Sequence, residues 1–384
     1  MKKKKAPKTR SKRKLTGKDL YRLRLPVSAV ISPCEKCIAY TVERMNEKEK
    51  KYFSNIHVYN RDDKKSVQFT HGDHQDRSPV WSPDGSQLAF ISTRDKKTGI
   101  YIIPTAGGAE KQIIEIEGAI ANLQWTPDAR QLVFALRYND SHHIKDEKEK
   151  KEPPVFRHIT RLYYRLDGSG FLPKDRFQIY ALTIADGKLR QITDGSRDNI
   201  CPHLSPDGKW ITYVSNRRAN EALDMEYMDL FVISFKGGKE KKIPTPDGPV
   251  FEPKFSPNGK LIAYLGNDDP EGIANTHIWL VGVNNTPKAK DLTPNYDRCA
   301  YDQTLGDMSE GEGAPLAWSR DGKRIYFLSS DTGATNLFYV PRGGGNPTRV
   351  FRGKCHIKSF SVNGSTRTAA LIYSDLNVPG EVMT

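Results

Sequence analysis

The chain has 384 residues and a formal net charge of +14, from 60 Lys and Arg against 46 Asp and Glu. Nine of the cations fall in residues 1–14, MKKKKAPKTRSKRK, leaving +5 for residues 15–384; any nucleic-acid contact is therefore confined to that tail. No apolar run approaches 18 residues, so no helical membrane span is expected, and five irregularly spaced cysteines describe no disulfide framework; a reducing cytoplasm is the setting they imply.

In chain order, residues 1–14 read as a disordered basic tail, because like charges repel and nothing apolar offsets them. Residues 15–25, LTGKDLYRLRL, have neither the apolar core nor the cleavage site of a secretory signal; they form a short N-terminal helix or arm with Thr16 at its N-cap. Residues 26–384 are built on a repeat. Ser32-Pro-Cys-Glu-Lys, Ser82-Pro-Asp-Gly-Ser, Thr126-Pro-Asp-Ala-Arg, Ser205-Pro-Asp-Gly-Lys, Ser256-Pro-Asn-Gly-Lys, Ser319-Arg-Asp-Gly-Lys and Ser361-Val-Asn-Gly-Ser follow one another at propeller-blade spacing, with extra material after the third and fifth. Asp-Gly and Asn-Gly tolerate the positive φ of a hairpin turn. After each turn comes an apolar run such as LAFIS (88–92), ITYVS (211–215) or IYFLS (325–329). Such runs barely alternate, which is the pattern of a strand covered on both faces. A third apolar strand, a polar turn and a short fourth strand complete each repeat, giving an all-β, seven-bladed β-propeller with four-stranded blades.

Cys34 and Cys37 form a Cys-x-x-Cys pair, but SPCEKCIAY (32–40) aligns residue for residue with SPNGKLIAY (256–264). The pair is therefore a degenerate blade turn, and no second pair supplies further zinc ligands. His71, His74, His142 and His143 lie in polar connections without metal-ligand spacing, so no metal and no cofactor is expected. The segment 138–156 mixes both charges and reads as an insertion loop. Asp307, Glu310 and Glu312 read as solvated carboxylates that a substrate amine could meet. The last repeat offers two strands and a third beginning at Glu381-Val382, so its blade is incomplete, and an open edge is a liability. Truncation explains this better than donation of a strand from residues 1–25, and segment 375–384 would then lead into a missing domain.

The opening LTGKDLYRLRLPVSAVISPCEKCIAYTVERMNEKEKKYFSNIHVYN and RLYYRLDGSGF (161–171) resemble the acylaminoacyl-peptidase and dipeptidyl-peptidase-like members of the prolyl-oligopeptidase family of serine peptidases. The SPDG repeats alone are shared with TolB-like propellers. The resemblance implies that YR-x-DG-x-GF enters the fourth blade, and that an α/β-hydrolase domain follows the propeller. No G-x-S-x-G elbow is present, so this chain alone should not hydrolyse peptides. The implied role is to gate and position short peptides for a hydrolase partner in the same or a separate chain. Arg157, Arg161, Tyr163, Tyr164 and Arg165 gather cations and aromatics suited to a peptide carboxylate, and are the candidate gating residues. The alternative is a standalone TolB-like propeller acting as a protein-binding scaffold, and a further one is a propeller that uses its basic tail on nucleic acid.

Overall fold

A hydroxyl two residues before a short acid, followed by glycine, is a recipe for a tight turn, and the computed structural model shows how it works. The structure describes residues 13–146, 158–167, 170–224, 227–271, 273–304, 316–351, 353–362 and 368–384. Ser82, Thr126, Ser205, Ser256 and Ser319 each donate their hydroxyl to the side-chain oxygen two residues on, at 2.5–2.8 Å. Each hydroxyl also accepts the backbone N–H five residues on, at 2.9–3.0 Å. Gly85, Gly208, Gly259 and Gly322 carry the left-handed φ, between +65° and +73°, that lets the chain reverse. Each faces the proline of the preceding turn: Pro33, Pro127, Pro206 and Pro257 respectively. Cys34 occupies the acid position of the first turn, with its sulfur 3.4 Å from the Ser32 hydroxyl, and both Cys34 and Cys37 are free thiols.

The turns separate successive antiparallel units. Unit 1 comprises β1 (Leu25–Ile31), β2 (Cys37–Asn46), β3 (Lys51–Asn60) and β4 (Lys65–Gln68). Unit 2 comprises β5 (Gln75–Trp81), β6 (Gln87–Arg94), β7 (Lys97–Pro104) and β8 (Lys111–Ile116). In unit 3, β9 (Gly118–Trp125) and β10 (Gln131–Tyr138) are followed by a small hairpin, β11 (Arg165–Leu166) and β12 (Gly170–Phe171), before β13 (Gln178–Thr183) and β14 (Leu189–Gln191) return to the sheet. Unit 4 has β15 (Ile200–Leu204), β16 (Trp210–Ser215), β17 (Asp229–Ser234) and β18 (Lys241–Ile243). Unit 5 has β19 (Val250–Phe255), β20 (Leu261–Gly266), β21 (His277–Gly282) and β22 (Lys290–Asp291). Unit 6 has β23 (Ala317–Trp318), β24 (Arg324–Asp331), β25 (Ala334–Pro341) and β26 (Thr348–Arg349). Unit 7 shows β27 (His356–Val362), β28 (Ala369–Ser374) and β29 (Glu381–Met383), the last paired with β28 through Leu371↔Met383 and Tyr373↔Glu381. Ahead of unit 1, Gly17–Arg22 form a 3-10 turn, where the Asp19 carboxylate accepts the Thr16 N–H at 2.8 Å and pairs with Arg13.

One expectation is corrected here. The YR-x-DG-x-GF hairpin does not enter the fourth unit; it lies inside the third, between its second and third strands. QIYALT pairs with QLVFAL along Gln131↔Thr183 to Leu136↔Gln178, so it completes the sheet begun at β9. The next unit opens only at β15, ahead of the Ser205 turn.

Burial explains why the second strands hardly alternate. Among the described residues seven apolar clusters occur, and each joins two neighbouring units. In β6, Leu88 and Phe90 pack toward unit 1 whereas Ala89 and Ile91 pack toward unit 3. Alternate side chains point to opposite faces of a strand, so both sets must be apolar when both faces are covered. The circle of clusters ends where Ala29, Ile31 and Ile38 of unit 1 meet Ala370 and Ile372 of unit 7, and the Ile31 N–H donates to the Ser361 hydroxyl across that seam at 3.2 Å. Indole N–H groups stitch further neighbours: Trp81 to the Val30 carbonyl at 2.9 Å, Trp125 to Val80 at 3.0 Å and Trp318 to Lys254 at 3.1 Å. The chain is an all-β, propeller-like fold. No helix among the described residues is long and apolar enough to cross a membrane.

Candidate functional site

In an antiparallel meander, connections alternate between the two ends of the strands. The Ser-Pro turns share one end of the units, and the links between second and third strands share the other. At the Ser-Pro end, the first strands border an open depression of about 450 Å³ lined by Ile31, Trp81, Trp125, His203, Val362 and the prolines Pro33, Pro83, Pro127 and Pro206. Cys201, His203, Glu252 and Lys254 lie on the adjacent strands β15 and β19, but they do not make a nucleophile. Burial pushes the Cys201 thiol up to about 12, with the Glu252 carboxylate adding to it, and the sulfur donates to that carboxylate at 3.7 Å. Burial also pushes His203 far below the usual imidazole range, helped by Lys254, and its Nδ1 accepts the Phe255 N–H at 3.2 Å. A protonated thiol beside a neutral, occupied imidazole performs no Cys–His chemistry.

The opposite end carries the long connections. Tyr138, where β10 ends, stacks on His142 with ring centroids 4.1 Å apart, within a 3-10 turn at Asp140–His143. The connection returns through Lys174 and Asp175: the Lys174 N–H donates to Asp140 at 2.7 Å, and His143 Nε2 lies 2.7 Å from Asp175 Oδ2. These contacts pin the departing and returning strands together. Beyond them, β11 and β12 project as a hairpin whose base is closed by the Leu172 N–H to the Tyr164 carbonyl at 2.8 Å. Ile159, Leu162, Tyr163, Tyr164, Leu166 and Phe171 stand exposed around this hairpin.

Of the candidate gating residues, Tyr163, Tyr164 and Arg165 are exposed on this hairpin segment, and the Arg165 guanidinium lies 5.6 Å from the Phe171 ring centroid. Arg161 turns back toward the sheet and donates to the Pro173 carbonyl at 2.7 Å. Arg157 lies outside the described residues, as do Asp307, Glu310 and Glu312. Tyr163, Tyr164 and Arg165 share the hairpin, while Arg161 belongs to a different group.

That group was not singled out in the sequence. Arg176 reaches both Asp198, at 3.0 Å, and Glu221, at 2.5 Å; Arg197 takes the other oxygen of Glu221 at 2.7 Å. Asp198 also accepts the Phe177 N–H at 2.7 Å, so each oxygen of the two carboxylates has a direct partner. Arg137, half-buried at the end of β10, lies over the Phe177 ring at 4.6 Å. Burial pushes the Arg137 guanidinium down, opposed by Asp198 and assisted by the charges of Arg161 and Arg176. Burial likewise pushes Arg161 down, with Arg176 the next cause, against the opposing charges of Asp198, Glu221 and Asp140. The residues come from the end of β10, the two sides of the insertion, the link between units 3 and 4, and the link after β16. The only local signal was the Arg-Asp-Asn run at 197–199. The exposed apolar hairpin and this cationic group lie on one end of the fold, which suits a surface that faces a partner and a small anionic ligand.

Comparisons bear on what such a surface serves. The family model described as PD40, TolB beta propeller domain, matches residues 31–153. An uncharacterized peptidase, YuxL, of Bacillus subtilis is 28% identical over 332 residues, which is 85% of this chain and 50% of the relative. Dipeptidyl-peptidase 5 of Porphyromonas gingivalis is 23% identical over 361 residues, 88% of this chain and 49% of its own length. Its relatives are peptidases. The chain spans about half the length of these curated relatives. A solved acylaminoacyl peptidase of Pyrococcus horikoshii shares the fold, with a TM-score of 0.69 at 16% identity over 94% of this chain and 51% of the peptidase. The similarity thus runs through the peptidase half that has this propeller-like architecture.

Proposed function

We propose that this chain is a seven-bladed propeller that gates and positions short peptides for the α/β-hydrolase domain of an acylaminoacyl-peptidase-like serine peptidase. The observation that carries this reading is the match along 85% of the chain to one half of a peptidase. Two features support it. The inter-unit clusters run from unit 1 round to unit 7, where Ala29 and Ile31 meet Ala370 and Ile372, the continuity a propeller covering an active site would need. The exposed hairpin side chains Ile159, Leu162, Tyr164, Leu166 and Phe171 supply the apolar surface a catalytic domain would cover. Bond breaking belongs to the hydrolase domain. The propeller's contribution is to exclude long chains and orient short ones, which raises the effective concentration of the scissile bond at the nucleophile. Five free thiols fit a reducing cytoplasm.

The test is reconstitution. The chain is co-expressed with the half of the B. subtilis relative that it does not match, and cleavage of blocked tripeptides is compared with cleavage of unfolded casein. The reading expects a stable complex that cleaves the tripeptide and spares casein. Failure to associate, or equal cleavage of both substrates with and without the propeller, would sink it. A standalone binding propeller is the second reading; it draws on the TolB-type family model and expects a folded monomer indifferent to any hydrolase half.

A further inference from the structure

Among the described residues, the direct ion pairs of Asp198 and Glu221 go to Arg176 and Arg197. Arg137 donates no side-chain hydrogen bond there, pairs with no carboxylate within 4 Å, and its Nε is buried without an acceptor. Arg161 reaches only the neutral Pro173 carbonyl. Guanidinium groups do not deprotonate in proteins, so neither arginine can escape its burial by neutralising. Two partly buried cations beside an aromatic ring, each drawn to Asp198 only at longer range and closed by no direct ion pair among the described residues, are a site that an incoming anion completes.

We propose that Arg137 and Arg161 bind the terminal carboxylate of a short peptide, with Phe177 as the apolar wall beside it. A carboxylate matches the guanidinium fork in two-point geometry. Arg176, Arg197, Asp198 and Glu221 form the scaffold that fixes Phe177 and lends further positive potential. This assignment rests on the peptide-gating reading and names the part of the peptide that is recognised. A side-chain carboxylate and inorganic phosphate share the relevant chemistry, and the probes separate them.

Fluorescence anisotropy of the full chain would compare Ala-Ala-Phe, carrying an uncharged dye on its N-terminus, as the free acid and as the C-terminal amide. Ala-Glu-Phe amide and inorganic phosphate complete the set. The free acid should bind at least about tenfold tighter than the amide, as loss of one charge-assisted pair implies. Ala-Glu-Phe amide should bind like the plain amide, and phosphate should compete only weakly. Arg161→Gln, on the more accessible side, should erase the acid preference while its circular dichroism and thermal midpoint stay native; Arg165→Gln on the exposed hairpin should leave the preference intact. Arg137→Lys, which keeps the charge and loses the fork, should retain only part of it. Equal binding of acid and amide, no binding of either, recovery of affinity by the internal Glu, or displacement by phosphate at lower concentration than the peptide would each overturn the assignment. Gating in the reconstituted complex without acid preference would refute this inference alone. Acid preference without gating would refute only the reading beneath it.

Discussion

Asp302 offers a quantitative test of how the sixth and seventh units are held. Its carboxylate takes the Thr335 hydroxyl at 2.9 Å, the Thr304 N–H at 3.0 Å, and His356 Nε2 at 2.5 Å from the start of β27. Burial pushes this carboxyl up, but the hydrogen bonds from His356 and Thr304, together with the His356 charge, outweigh it and bring the pKa to about 2, from 3.8. Such a depression corresponds to roughly 2–3 kcal/mol of folding stability. Because the folded value lies below the unfolded one, that stability is fully present above about pH 4 and is lost as pH falls through 2. For a chain of this length, unfolding entropy converts it to a drop in Tm of about 3 °C. Asp302→Asn should therefore lower the midpoint of thermal unfolding by about 3 °C at pH 6, and the gap from wild type should narrow steadily between pH 4 and pH 2. A gap that stays constant across that range, or none at pH 6, would refute the account of Asp302 as a charged clasp.

Other outcomes follow from single contacts. Cys34 should be the fastest of the five cysteines to react with iodoacetamide at pH 7.5, because the Ser32 hydroxyl and backbone N–H groups lower its thiol, whereas Cys201 should be slowest; peptide mass spectrometry reads the order, and a faster Cys201 would contradict it. Gly266→Ala would place a methyl 2.3 Å from the Pro249 carbonyl oxygen, and the forced shift should cost about 1–3 kcal/mol in urea unfolding. Phe134→Ala empties a fully buried position between units 2 and 3 and should cost about 3–5 kcal/mol, with a fall of about 4–6 °C in Tm. Trp125→Phe removes the indole bond to the Val80 carbonyl and should cost about 1 kcal/mol or more, read by the same melts.

The repeat was legible because its logic is local. The turn bonds span two and five residues, and the reversal needs a residue that tolerates left-handed φ, so Ser-x-Asp-Gly announces itself wherever it occurs. The apolar runs were equally readable, since Leu88 and Ala89 each have a neighbouring unit to face. The hairpin was misplaced for the converse reason. QIYALT pairs with a strand more than 40 residues earlier, and nothing in its own pattern tells a third strand from a first. The cationic group shows the same limit. Arg161 stood out as a cation in an aromatic stretch, but Arg137, Arg176 and Arg197 look ordinary in the chain and meet only after three connections converge.

The interlocked turns divide the molecule into a conservative end and a permissive one. With Gly85 seated on Pro33, Gly208 on Pro127, Gly259 on Pro206 and Gly322 on Pro257, lengthening one of these turns would unseat the glycine or the proline and disturb its neighbour, so a change there is passed to the next unit. At the other end the links meet through side chains, as Arg176 does with Asp198 and Glu221, rather than by one turn seating on the next. Those links can grow one at a time, and the long segments between β10 and β13, β16 and β17, β20 and β21, and β22 and β23 all emerge there. New recognition chemistry can accumulate on that side while the ring that carries it goes on folding by the same rules.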